Sequence, residues 1–152
     1  MSKAFYAGTF NPFTIGHQSI VNRALAIFDE IIIGVGYNVN KEGASSSASQ
    51  RAREIANLFA SNPKVRVVCY SSLTTEAALA NGANILLRGV RDCADFEYER
   101  NIAEVNRKLS GLETIIMFSL PELACVSSSM VRELEAFGAD ISSFLPYDKD
   151  LK

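Results

Sequence analysis

Tryptophan is absent from this chain, histidine occurs once and cysteine three times. With one histidine, and cysteines scattered at Cys69, Cys93 and Cys125, there is no C-x-x-C pair and no zinc-like cluster. The odd number and wide spacing point to reduced thiols, not to a disulfide framework. Neither sign of charge dominates: the formal net charge is −2. That argues against a nucleic-acid partner, which calls for a basic face. No apolar run approaches the roughly 18 residues that cross a bilayer, and the N-terminal stretch turns polar too soon for a signal peptide. A cytoplasmic protein with no membrane contact is expected.

The common nucleotide motifs are missing as well. There is no G-x-x-x-x-G-K-[ST] and no G-x-G-x-x-G after a strand; Gly34-Val35-Gly36 lacks the third glycine and opens no helix. A G-x-S-x-G nucleophile elbow is also lacking. A P-loop enzyme and an ordinary dinucleotide dehydrogenase are excluded.

What is present is a chain of 152 residues, 48% hydrophobic and 21% charged, which suits one globular domain spanning residues 1–152. Lys3–Ala7 reads as a buried strand. Ile20, Val21, Ala24, Leu25 and Phe28 recur at helical spacing and predict a helix from about His17 to Phe28. The run Ile31–Gly36 is β-branched without alternation, as in a strand covered on both faces. Residues 38–50 are small and polar and predict a loop, with a helix following from Ser49. Further strands are expected at Val65–Tyr70, Ile85–Leu87 and Thr114–Phe118. Between and after them come a short helix capped by Thr74 or Thr75, a longer one over about 95–109 and a last one after Ser127–Ser129. A short turn is expected near Asp140–Phe144. The longer helix carries a stripe of Tyr98, Ile102, Val105 and Leu109, and the cysteines and the aromatics of the helical stripes, Tyr98 and Phe137 among them, are expected in the core.

This β-α alternation predicts an α/β fold: a Rossmann-like, doubly wound, five-stranded parallel sheet with helices on both faces. Ligands then sit beyond the carboxyl ends of the strands. The polar clusters obey this rule. Gly8–His17, Lys41, Thr74, Arg88–Arg91 and Ser127–Ser129 each follow a predicted strand and belong on one face.

Their chemistry is phosphate chemistry. Lys41, Arg88 and Arg91 are cations; Thr9, Thr14 and the serines are hydroxyl donors. Helix N-termini after Gly16 and after Val126 offer free N–H groups. His17 in the first turn of its helix can donate to an anion either neutral or protonated. Each element also has an ordinary reading. The glycines can be a tight turn, Lys41 a solvated side chain and Ser127–Ser129 a simple cap. Asp92, Asp95, Glu97 and Glu99 read as a solvated acidic helix start.

In combination these residues resemble a known family. Gly8-Thr9-Phe10-Asn11-Pro12 with Thr14-Ile15-Gly16-His17 is similar to the G-T-F-[DN]-P…[HT]-x-G-H signature of the nucleotidyltransferase superfamily. Arg88-Gly89-Val90-Arg91 with Asp95-Phe96-Glu97-Tyr98-Glu99, and Ser127-Ser128-Ser129-Met130-Val131-Arg132, resemble two signatures of bacterial phosphopantetheine adenylyltransferases. The resemblance implies transfer of the adenylyl group of ATP to 4′-phosphopantetheine with magnesium, giving dephospho-coenzyme A and pyrophosphate in coenzyme A synthesis, in a homohexamer. It implies acceptor contacts from Thr9, Lys41, Thr74 and Arg88. For ATP it implies Thr9, Phe10, His17, Gly89, Val90, Arg91, Glu99 and the segment Leu123, Ala124, Cys125, Val126, Ser127, Ser128 and Ser129. His17, Lys41 and Arg88 would be catalytic, and no residue is expected to ligate the metal directly. Asn11, where the family more often has aspartate, keeps a nicotinate or nicotinamide mononucleotide adenylyltransferase as the alternative. Residues 43–50, serine-rich here, replace a bulkier stretch.

Overall fold

The computed structural model describes residues 1–147. Its strands are β1 (Lys3–Gly8), β2 (Glu30–Gly36), β3 (Val65–Tyr70), β4 (Ile85–Val90) and β5 (Glu113–Phe118). They form one parallel sheet in the order β3-β2-β1-β4-β5. The helices are α1 (Ile15–Ala24), α2 (Ala44–Leu58), α3 (Thr74–Ala80), α4 (Cys93–Ser110) and α5 (Ser128–Ala136). Single 3-10 turns occur at Pro121–Leu123 and Ser142–Phe144, the latter within the turn expected near residues 140–144.

Two apolar layers flank the sheet because successive strand residues face opposite ways. Tyr6, Ile31, Ile33, Val35 and Leu87 pack with Val21 and Ala24 of α1 and Ile55 of α2. Phe5, Ala7, Ile32 and Leu86 pack with Ala77 and Ala78 of α3. A central strand that must satisfy both layers has no polar face, which is why β2 shows no alternation.

Several expectations need correction. The loop expected over 38–50 is half helix: α2 begins at Ala44. Its early turns carry serine and alanine with only Ala48 buried, so no apolar stripe announces them. Gly43, at the N-cap, has φ +68, a conformation other residues adopt only at a cost. α1 begins at Ile15, ahead of Gly16 and His17, and ends at Ala24; residues 25–27 form a turn, although Phe28 is still buried. Neither Thr74 nor Thr75 caps α3. Leu73 holds that position without a side-chain bond; the Thr74 hydroxyl lies 2.9 Å from that of Tyr70, and Thr75 is buried. β4 runs on through Val90, so Arg88 and Gly89 lie within a strand.

The largest departure concerns burial. Cys69, Cys93 and Cys125 are all exposed. So are Tyr98 (64%), Val105 and Leu109 (61%) on α4 and Phe137 after α5, with only Ile102 of the α4 stripe partly covered. Beside them the edge strand β5 exposes Ile115 and Phe118 (66%). Helical spacing shows that one face of α4 is apolar; it does not show what covers that face.

Candidate active site

Strand order reverses beside β1: the chain runs outward through β2 and β3, then returns to β4 on the other side. A cleft of about 350 Å³ opens where β1 and β4 end, the place this topology favours for ligands. Thr9, Phe10, His17, Arg88, Gly89, Arg91, Glu99 and the wall Val126, Ser127, Ser128 and Ser129 all line it.

Lys41 instead lines a neighbouring cavity of about 430 Å³ that shares Thr9 and Asn11 with the cleft. Thr74 lines a narrower one, about 170 Å³, that shares Ala7, Arg88 and Glu99 with it. Thr9 and Arg88 therefore stand at the two junctions. Val90 is buried in β4. Leu123, Ala124 and Cys125 precede the serine wall and line none of these three cavities.

The turn after β1 is built around aromatic packing. Phe10, at φ 51, puts its ring under the turn, with ring-centre separations of 5.2 Å to Tyr6, 5.3 Å to Phe13 and 5.0 Å to His17. A Cβ on Gly8 would lie 2.9 Å from the Phe10 ring, so glycine is required there by packing. Phe10 thus serves the cleft mainly as the floor on which His17 rests.

His17 has one determined protonation pattern. The backbone N–H of Thr14 donates to its Nδ1 at 2.9 Å, while the Thr14 hydroxyl accepts from the His17 N–H at 3.4 Å, a reciprocal cap of α1. Nδ1 is therefore an acceptor, and the ring hydrogen sits on Nε2. Burial first, then the charges of Arg88 and Arg91, lower its pKa from 6.5 to about 4. Of the two forms the sequence allows, the neutral donor is the one present near pH 7. As the sole histidine, its imidazole can be followed by NMR without assignment ambiguity. The expected result is an Nε2–H tautomer titrating near pH 4; an Nδ1–H form or a midpoint near 6.5 would contradict the cap. Because the folded value is depressed, the unfolded chain takes up this proton first. The group's contribution to stability is complete above about pH 6.5 and declines as pH falls through 4.

Arg88 does not project freely. Its Nε and Nη2 donate to the two carboxylate oxygens of Glu99 at 2.8 and 2.6 Å, and its Nη1 donates to the Ala7 carbonyl. Burial is the largest influence on this guanidinium and alone would lower its pKa. The hydrogen bond and charge of Glu99 outweigh it, leaving the value raised. Glu99 is only 6% exposed, so the acidic helix start is not uniformly solvated. Since both its oxygens hold Arg88, Glu99 reaches the cleft chiefly through that arginine.

The serine wall is likewise engaged. Ser127 is the N-cap of α5, accepting from the Met130 N–H at 3.1 Å. The Ser128 hydroxyl donates to the Pro12 carbonyl at 2.8 Å. This ties α5 to the glycine turn and places the helix N-terminus, where N–H groups lack intrahelical partners, in the cleft wall. Arg132, which also lines the cleft, donates to the Asn11 carbonyl at 2.6 Å and to the Ser129 hydroxyl at 3.2 Å. Reading the sequence alone missed Arg132 as a site residue. Its spacing of three from Ser129 on one helix was the available signal. Arg51, also missed, donates to the Thr9 carbonyl at 3.1 Å and the Ser47 hydroxyl at 2.6 Å.

Among the described residues no three His, Cys, Asp or Glu side chains could together hold a metal ion, and no helix is long and apolar enough to cross a membrane. The nearest carboxylates, Asp95 and Glu99, are engaged by arginines. Such a donor set fits a divalent ion carried on substrate phosphates and water more than one caged by protein.

A cleft of arginines, helix N-termini and a neutral histidine suits a nucleotide's phosphate chain, and comparison with known proteins agrees. The cytidylyltransferase-like family model matches residues 5–134. A phosphopantetheine adenylyltransferase of Bacteroides thetaiotaomicron is 51% identical over 96% of both chains. The chain belongs to the phosphopantetheine adenylyltransferase family. Other members include those of Phocaeicola vulgatus, 49% identical over 96% of both chains, and Flavobacterium johnsoniae, 40% identical over 96% of this chain and 95% of that one. A solved structure described as a putative nicotinate-nucleotide adenylyltransferase from Vibrio parahaemolyticus superposes with TM-score 0.62, covering 99% of this chain and 98% of that one. At 16% identity it shares the fold, and nothing about the acceptor follows from it. For this phosphopantetheine adenylyltransferase family member, the Asn11 signal for the alternative branch is outweighed by identity over nearly the full chain.

Proposed function

We infer that this enzyme transfers the adenylyl group of ATP to 4′-phosphopantetheine, releasing pyrophosphate and forming dephospho-coenzyme A. The observation that carries the reading is the meeting of three cavities at Thr9 and Arg88. ATP occupies the main cleft, its phosphates against the α5 N-terminus, Arg91 and Arg132. The acceptor phosphate lies near Thr9, Lys41 and Arg88. The narrow cavity has apolar walls from Phe5, Leu86, Ile102 and Ala103, with Thr74 and Asn106 as polar partners. That composition suits a chain of methylenes and amides.

The acceptor phosphate is an anion at neutral pH, so the reaction requires no general base. It requires alignment and relief of repulsion between two anions. Arg88 and Lys41 draw the nucleophile toward the α-phosphorus. The Nε2–H of His17 donates to a non-bridging oxygen as charge builds there. Arg91, Arg132 and the α5 N–H groups hold the departing pyrophosphate. Magnesium, held by ATP phosphates and water, would neutralise part of the polyphosphate charge. The exposed apolar faces of α4 and β5 support self-association, and a cytoplasmic homohexamer is the assembly we propose. Incubation with ATP, magnesium and 4′-phosphopantetheine should yield dephospho-coenzyme A and pyrophosphate in equal amounts. ATP binding without any acceptor-dependent product would sink the proposal.

A further inference from the structure

Asp95 lines the cleft, and the reaction gives its carboxylate no task. It stands in the first turn of α4, its own N–H capped by Asp92 at 2.8 Å. All its side-chain bonds go to a single residue. Oδ2 accepts from the backbone N–H of Arg91 at 3.2 Å and from Arg91 Nε at 2.9 Å; Oδ1 accepts from Nη2 at 3.3 Å. Main chain and guanidinium of Arg91 are thus tied to one anchor, and among the described residues its Nη1 donates no hydrogen bond. Four residues on, the same face of α4 presents Glu99, which grips Arg88 in the same two-pronged way. One helix face therefore holds both arginines that flank Gly89-Val90.

We propose that Asp95 is a positioning residue: it orders Arg91 before ATP arrives, so that the guanidinium meets the β- and γ-phosphates without first being immobilised. The rival is an ordinary helix-start ion pair, since both partners are partly exposed and such pairs contribute little. The inference rests on the reading that Arg91 faces the departing pyrophosphate.

The test compares D95A, D95N, R91A and the double variant in both directions of the reaction, with Tm measured alongside. D95A should raise KM for ATP, and for pyrophosphate in reverse, by about tenfold, the scale of one lost charge-assisted bond. KM for 4′-phosphopantetheine should stay within about twofold. D95N, which keeps an acceptor oxygen, should fall between. Adding D95A to R91A should change the pyrophosphate KM little, because the two act as one unit. Effects that multiply in the double variant, or a lowered Tm with unchanged KM values, would overturn the inference. If R91A itself leaves both KM values unchanged, the reading of Arg91 fails, and that result is separable from an active R91A effect with an inert D95A.

Discussion

His17→Ala should lower turnover at least ~10²-fold while changing ATP affinity only a few-fold. The scale is that of losing one preorganised donor to a developing oxyanion. Three features of the ring make it such a donor. Its Nδ1 is occupied by the Thr14 N–H, which fixes the hydrogen on Nε2. Phe10 and Phe13 lie against it, which fixes its plane. Its depressed pKa keeps it neutral near pH 7, so it adds little to ground-state ATP binding by charge. The substitution also removes one half of the α1 cap, worth about 1 kcal/mol, so Tm should fall slightly. Equal losses in turnover and ATP affinity, measured by steady-state kinetics and equilibrium binding, would make His17 a binding residue.

Arg88→Ala should damage both activity and stability. Removal of the guanidinium leaves Glu99 buried with both oxygens unpartnered, and breaking such a pair costs about 3–5 kcal/mol. Arg88 is itself 30% exposed, which favours the lower end. For a domain of this size the Tm loss should be on the order of 10 °C. Restoring stability should be possible without restoring chemistry. Adding Glu99→Gln to Arg88→Ala removes the stranded charge, so Tm should recover in part while turnover remains low. If turnover recovers together with Tm, Arg88 supports the fold and not the acceptor. Arg88→Lys should recover little, because one ammonium cannot reproduce the two-pronged pairing or reach the Ala7 carbonyl at the same time.

These effects depend on pairs that local pattern reveals unevenly. The sheet could be read from the chain because each central strand must bury both faces, and the resulting apolar runs are unmistakable. The position of the cleft followed from the polar clusters after each run. Thr9, His17, Arg88, Arg91 and the serines do converge there. The start of α2 was hidden because helix formation there draws on alanine, serine and a left-handed glycine without an amphipathic stripe. The exposure of Tyr98, Val105 and Leu109 was hidden because periodicity identifies an apolar face and not its partner. The anchoring roles of Glu99 and Asp95 were hidden in a run of acids whose spacing resembles an ordinary helix start. Only the return of α4 over β4 shows that two of the four are arginine anchors. Arg132 and Arg51 act on carbonyls of Asn11 and Thr9, each distant in sequence. No local pattern encodes such contacts.

The central claim is that the three joined cavities bring ATP together with a phosphorylated pantetheine arm. Acceptor-dependent release of pyrophosphate tests it most directly, with 4′-phosphopantetheine and nicotinate mononucleotide supplied separately at matched concentrations. Release with 4′-phosphopantetheine, and a kcat/KM for it at least ~10²-fold above that for the mononucleotide, is the predicted result, since buried polar groups left unpaired by the wrong acceptor reject it strongly. Comparable or faster release with nicotinate mononucleotide would contradict the account and assign the narrow cavity beside Arg88 to a different acceptor.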